Sequence, residues 1–468
     1  MKRREFLKSL AATAAAGGIL GCAPGDRSRT SGRPNIVFVF ADQLRPDVLG
    51  PYGGANIATP HIDAVARQGM TFLNALSTCP LCTPYHGMLM TGRYPTHSGI
   101  LLNRVDVSTR QDPHCLAQLF AAEGYDTGYL GKWHLSAGIQ RVNEMLEGDE
   151  EAIEAHTQRN PHVEFTPPGP DRLGFRHWEA QNYHIDFRDY WFYRDEPRKI
   201  TTGAYETDVL TDQAIAYMEN RRADGRPFLL VVAPHPPHPP FTPALTPSGY
   251  LERVPSQLRW GANVPPRFAE TLGLQVRCYL AMVKHLDDCV GRIVRHLDAS
   301  GLSDRTLLVV TSDHGEMHGS HGLIGKCYPY AESVNVPLLM RWPGTIPEGV
   351  RAAPLFTPLD FMPTLSSLAA AESTRHQRAE IEVEKGQQGH QKPRRRVGDD
   401  VDRDAVDDHR ESDPLHGIAA NQPQRHQGGC HQQQVPGQTG RHLGPGHERA
   451  DVRRIQAELQ EPDLLTLG

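Results

Sequence analysis

Residues able to do chemistry recur along this 468-residue chain as short polar runs: Asp42-Gln43, Cys82, Lys132 with His134, His235 with His238, Asp313-His314, and Lys326. Two aspartates with amide or imidazole neighbours suit a divalent cation, and an oxygen-rich set favours calcium or magnesium over zinc. Two lysines beside them suit a dianionic, tetrahedral group. Cys82 lies just before "GMLMTG", a helical run whose positive dipole end stabilises anions. A metal, two cations and a helix start converging on one residue form a site for sulfate or phosphate transfer.

Four of the runs follow four short apolar stretches that must position them: "NIVFVFA" (35–41), "DTGYLG" (126–131), "FLLVVA" (228–233) and "TLLVVTS" (306–312). Continuous rather than alternating apolar residues predict strands buried on both faces of a parallel sheet. Helical patterns lie between them at 59–69, 115–124, 209–222 and 277–301, which predicts an α/β sheet with helices on both faces. In such sheets ligands bind beyond the carboxyl ends of the strands, where all four stretches deliver ionisable residues.

The charge balance, 49 basic against 55 acidic residues, carries no nucleic-acid footprint. Eight scattered cysteines, with Cys79 and Cys82 the one C-x-x-C pair, do not read as a disulfide framework or a zinc site. "MKRREFLKSLAATAAAGGILGC" has the charged start, apolar run and small-residue stop of an export signal. Arg3-Arg4 resembles a twin-arginine signal, read by the twin-arginine export machinery, and "ILGC" resembles a lipoprotein processing site. The expectation is a signal over 1–22, a linker over 23–33 and an exported, periplasmic or cell-envelope lipoprotein, with Cys22 lipidated as its membrane contact. At the other end every aromatic residue lies before position 372. The segment 373–468, rich in Gln, His, Arg, Gly and Asp, cannot bury enough surface to offset its chain entropy. It is expected to be disordered, with the abrupt onset of a shifted reading frame.

Six blocks in order carry a resemblance: "PNIVFVFADQLRPDVLGPYG", "CTP…LMTGRYP", "GYDTGYLGKWHL", "PHPPF", "TSDHGEMHGSHG" and "GKCYPYAESVNVPLLMRWPG". Over 34–372 the chain resembles the type I sulfatases of the alkaline phosphatase superfamily. That likeness implies an α/β fold with an alkaline-phosphatase-like, mostly parallel central sheet flanked by helices. It also implies a smaller C-terminal subdomain, which the tail does not resemble and which is therefore expected to be missing or aberrant. By the same likeness Cys82 is the residue that a formylglycine-generating maturase oxidises. One hydroxyl of the hydrated aldehyde attacks sulfur and displaces the alcohol, and the second lets sulfate leave. Asp42 and Asp313 match calcium ligands, with His314 at a third ligand position and Gln43 where many members carry another aspartate; magnesium is the alternative ion. Lys132 and Lys326 match the lysines that neutralise sulfate oxygens, His134 the residue that binds the hydrate, and His238 the one that assists the leaving alcohol. His235 stands near enough in sequence to share that task. A sulfated small molecule or glycan is the implied substrate.

Two letters depart from the pattern, Tyr85 and His86, and the second matters more. The family reads C-x-P-S-R where this chain has Cys82-Thr83-Pro84-Tyr85-His86. Arginine is always charged and its fork can hold carboxylates bidentately, whereas histidine is shorter and largely neutral near pH 7. His86 therefore bears on whether Cys82 is matured and active. The competing readings are a phosphoester or phosphonate hydrolase of the same superfamily and a catalytically inactive exported scaffold. The aromatic and Arg-rich segment 173–208 is read either as lining for a sugar pocket or as an ordered core loop.

Overall fold

The computed structural model describes residues 33–103, 107, 114–136 and 164–369. The expected signal, the linker apart from Arg33, and the tail from 370 onward lie outside these residues. Strands in chain order are β1 (Asn35–Ala41), β2 (Met70–Ala75), β3 (Asp126–Lys132), β4 (His177–Gln181), β5 (Trp191–Phe192), β6 (Ile200–Thr201), β7 (Phe228–Ala233), β8 (Thr306–Ser312), β9 (Leu338–Arg341) and β10 (Val350–Phe356). Eight of them form one sheet in the order β10-β2-β9-β8-β1-β7-β3-β4, while β5 and β6 make a small hairpin. Within the large sheet all pairs are parallel except those made by β9, which runs against both β2 and β8.

The four strands legible in the sequence are the contiguous middle of the sheet, β8-β1-β7-β3. Every residue of β1, β7 and β8 is buried, which is why those runs are apolar without alternation. Successive side chains still point to opposite faces. Phe38, Phe40, Tyr129, Val231 and Val309 pack on one side with Met88, Leu89, Phe120, Phe361 and Leu365. Val37, Val39, Leu230, Val232, Leu308 and Val310 pack on the other with Ile62, Leu210, Ala214, Leu280 and Val283. Each fully buried aliphatic or aromatic side chain contributes about 1.5–3 kcal/mol, so the middle of the sheet is the rigid part of the molecule.

Helices cover both faces. Cys82–Thr91, Leu116–Ala122 and Pro358–Ala369 lie on the first, and Pro60–Arg67, Glu206–Asp224 and the 34-residue Pro266–Ala299 on the second. Pro266–Ala299 starts well before the periodicity at 277 suggested. The helix expected after Gly87 begins at Cys82 itself, and all ten of its residues are buried. Gly131 is required where β3 meets β7: its φ is +98°, and a Cβ there would lie 2.3 Å from the Ala233 carbonyl oxygen. That close approach sets Lys132, the next residue, at the strand end. The segment 173–208 supplies β4, β5 and β6; its Trp178, Phe187, Tyr190 and Phe192 are buried core, whereas 194–199 is exposed.

Candidate active site

Backbone hydrogen bonds that run on past the strand ends bring the functional residues together. Asp42 N donates to Pro234 O at 3.2 Å, and Asp313 N donates to Ala41 O at 3.3 Å. The ends of β7, β1 and β8 are thus sewn side by side, with Asp42 and Asp313 on adjacent chains. Gln43 turns back in the left-handed region, φ 69°, and its N–H donates to Asp313 Oδ1 at 2.9 Å. His314 N donates to the same oxygen at 2.7 Å. Non-glycine residues at positive φ cost energy and persist where surrounding bonds hold them; His134, at φ 52°, is another.

Cys82 reaches this cluster from the opposite wall. It is the first residue of its helix, its side chain is buried, and Thr83 N, one of the helix's unpaired donors, is capped by Asn103 Oδ1 at 3.0 Å. Thr83 Oγ1 donates to His134 O at 2.9 Å, tying the helix start to the end of β3. The Cys82 sulfur has Lys326 Nζ at 3.1 Å, His314 Nε2 at 3.2 Å and Asp42 Oδ1 at 3.8 Å. Lys132 pairs with Asp42 Oδ2, both side chains essentially inaccessible. Lys326 also donates to Gln43 Oε1 at 2.9 Å, while Gln43 Nε2 donates to Glu316. Gln43 therefore links a lysine to a second carboxylate.

The electrostatics follow from burial and these neighbours. Burial would push the Asp42 carboxyl up, but Lys132, His238, Lys326 and His314 outweigh it and hold the group well below its usual range. Asp313, buried and repelled by Asp42, is pushed up to about 7. Burial works against the Lys326 ammonium, yet the Cys82 sulfur and the two aspartates raise it. Burial and nearby lysine charge lower His134, His235 and His238 well below the ordinary imidazole value, so all three are neutral.

Two observations bear on a cation. Asp313 Oδ2 is buried without a hydrogen-bond partner. His314 Nδ1 lies 2.9 Å from the Gly315 carbonyl and so carries the proton, which leaves a lone pair on Nε2. That lone pair faces Asp42 Oδ1 at 3.5 Å and Asp313 Oδ2 at 3.3 Å. Electron pairs converging on one buried point repel unless a positive charge lies among them. The donor set of two carboxylates and one imidazole fits a hard divalent cation held by Asp42, Asp313 and His314.

His238 and His235 lie against Asp42. His238 Nδ1 lies 2.7 Å from Pro239 O, which leaves Nε2 to the site, and the His238 ring is 4.6 Å from that of His235. His235 Nε2 is 3.8 Å from Asp42 Oδ2, and its backbone N–H donates to Glu206 Oε1 at 2.7 Å. Every residue singled out in the sequence is thus brought to one place, His86 included. His86 lies one helical turn after Cys82, fully buried, 4.9 Å from the Phe40 ring and 6.3 Å from that of His134. Burial and the Lys132 charge press its pKa down to about 3. Cys79 is not disulfide-bonded to Cys82, and no disulfide joins any of the six cysteines among the described residues.

Glu316, Glu206, Tyr183 and Asn103 were not legible as site residues. Glu316 had a faint signal, as a further acid in "SDHGEMHG". Glu206 lies just before the helical pattern at 209–222, with no motif around it. Tyr183 and Asn103 lie in loops whose path only the fold determines.

The sulfatase family model matches residues 34–371, and the chain belongs to the sulfatase family. It is 35% identical over 343 residues to the ulvan-active sulfatase of Formosa agariphila, covering 72% of this chain and 62% of that protein. It is 31% identical over 373 residues to the endo-4-O-sulfatase of Bacteroides thetaiotaomicron, covering 74% and 72%. A solved Bacteroides thetaiotaomicron structure, BT33494S-sulf, superposes with a TM-score of 0.63 at 26% identity over 73% of this chain and 74% of that one.

Proposed function

We propose that the protein hydrolyses a sulfate ester of a carbohydrate, with Cys82 converted to formylglycine and calcium as the bound cation. The observation that carries the reading is the surroundings of the Cys82 side chain: Lys326, His314 and Asp42 within 4 Å, at the first turn of a buried helix. An ordinary structural thiol needs no such company. The sulfur marks where the oxygens of the modified residue would stand. When bound, the cation would supply positive charge against a sulfate oxygen; Asp42, Asp313 and His314 would hold it, with Gln43 beside them.

The remaining steps belong to the chain's own groups. Lys132 and Lys326 neutralise the tetrahedral anion, most strongly as charge builds in the transition state, because burial deprives them of competing water. His134 hydrogen-bonds the nucleophilic side chain, and Lys132 holds Asp42 ionised. His238, with Nδ1 fixed on Pro239 O, presents Nε2 to the departing alcohol, and His235 backs it. A carbohydrate substrate is supported by the relatives, one named as active on ulvan. A maturase acting on Cys82 before export, and attachment to the cell envelope through Cys22, complete the proposal.

The inactive-scaffold reading has one observation in its favour: His86 is neutral and walled in where a charged arginine is expected. A panel of aryl sulfate, phosphate monoester and phosphate diester, assayed with Cys82→Ala as control, separates the readings. Sulfate ester cleavage that Cys82→Ala abolishes supports the proposal. Preference for a phosphate ester, or rates equal to those of Cys82→Ala on all three, contradicts it.

A further inference from the structure

Tyr183 borders the site and has no part in the chemistry above. It is carried by the turn after β4, and that turn is fastened to the strand end bearing Lys132 and His134. Trp133 N donates to Gln181 O at 2.8 Å and His134 N to Asn182 O at 2.9 Å. Asn182 Oδ1 accepts from Ser136 N at 3.1 Å, and its Nδ2 donates to Ser136 O at 2.5 Å. Tyr183 is thus held to the same backbone that positions Lys132.

Its ring lies among the groups assigned to the nucleophile and the leaving alcohol. The centroid is 5.0 Å from the His134 ring, 5.2 Å from His235 and 6.3 Å from His238, and Lys132 Nζ lies 5.3 Å from it. Gln181, Asn182 and His184 on either side are buried, whereas Tyr183 is half-buried, as is Lys326. The Tyr183 hydroxyl is not among the buried polar atoms, so it stays open to a ligand. Among the described residues the only protein contacts recorded for Tyr183 are made by its ring and by its charge environment, and none is a hydrogen bond of its hydroxyl. The lysines and the cation site answer the anionic half of a sulfate ester. A neutral phenol at the border of the site answers something else.

We propose that Tyr183 contacts the alcohol half of the substrate, its hydroxyl hydrogen-bonding a ring hydroxyl of the sulfated sugar. The inference rests on the sulfate-ester reading and adds a specificity-determining residue to it. A site built to bond a hydroxyl loses affinity for ligands that lack one, and the loss appears in binding of the alcohol, not in capture of the sulfate.

The test uses the full chain carrying Cys82→Ala, which can bind without turnover. Affinities are measured by calorimetry for a panel of monosulfated hexoses and hexosamines, and for para-nitrophenyl sulfate, which has no sugar hydroxyl. Tyr183→Phe keeps the ring and removes only the hydroxyl. The expected result is a loss of roughly fivefold to tenfold for the best-bound sulfated sugar relative to para-nitrophenyl sulfate. An unchanged ratio overturns the inference, as does a panel in which no sulfated sugar binds. Failure of the underlying reading looks different: sugars bind and respond to Tyr183→Phe, yet the protein with Cys82 intact hydrolyses none of them.

Discussion

Replacing His86 with arginine should raise formylglycine content or turnover while lowering stability, and the two effects have separate origins in the structure. The His86 imidazole is driven from its ordinary 6.5 to about 3, chiefly by burial and then by the Lys132 charge. At 1.36 kcal/mol per pKa unit, a positive charge in that spot costs about 5 kcal/mol. Arginine keeps its charge under all ordinary conditions, so His86→Arg meets this cost directly. Its longer fork can recover part by reaching the carboxylate cluster around Asp42, leaving a net loss on the order of 2–3 kcal/mol. The variant should therefore melt several degrees lower than the parent. Mass spectrometry of the Cys82 peptide, initial rates on an aryl sulfate and calorimetric melting, all on protein coexpressed with a maturase, measure the three quantities. Equal aldehyde content together with equal rates would refute the role assigned to residue 86. An unchanged melting temperature would refute the charge cost.

Glu206 makes a pH prediction of definite sign. Its carboxyl, buried without solvent contact, is pushed up to about 8 from 4.5, so between those values the native state holds a proton the unfolded chain has lost. Stability should fall as pH rises through that window, by up to about 5 kcal/mol, and Glu206→Gln, which keeps an acceptor for His235 N–H, should flatten the slope of denaturation midpoint against pH. Parallel slopes for the two proteins would contradict this. Calcium should stabilise the protein thermally, by about 2.7 kcal/mol at a hundredfold excess over its dissociation constant. Asp313→Asn, which removes one of the converging carboxylates, should abolish most of that shift; a full shift in the variant would place the ion elsewhere.

The sequence made the middle of the sheet legible because β1, β3, β7 and β8 lie between two helical layers and so read as unbroken apolar runs. The outer strands carry no such mark. In β2, Leu73 and Asn74 are exposed; β10 alternates and contains Pro354; β9 has only four residues; and β4, "HWEAQ", is neither apolar throughout nor cleanly alternating. The antiparallel insertion of β9 between β2 and β8 could not be anticipated from strands that were themselves hidden. At the site, Asp42, Lys132, His134, Asp313 and His314 lie at strand ends as their sequence position indicated, and His238 lies further on, in the loop after β7. Lys326, a candidate that follows no strand, reaches the Cys82 sulfur from a loop. The start of the Cys82 helix was hidden because every residue of it is buried, which erases the amphipathic period. Tyr183 was flagged only as part of the segment 173–208, because it follows β4, the edge strand least visible in the sequence.

The central claim is that Cys82 is the precursor of an aldehyde nucleophile. Mass spectrometry of the tryptic peptide spanning Cys82, from protein made with a functional maturase, tests it without knowledge of the substrate. The account predicts formylglycine or its hydrate at position 82 and an unmodified residue in Cys82→Ala. A free cysteine in every molecule of the parent protein would contradict it.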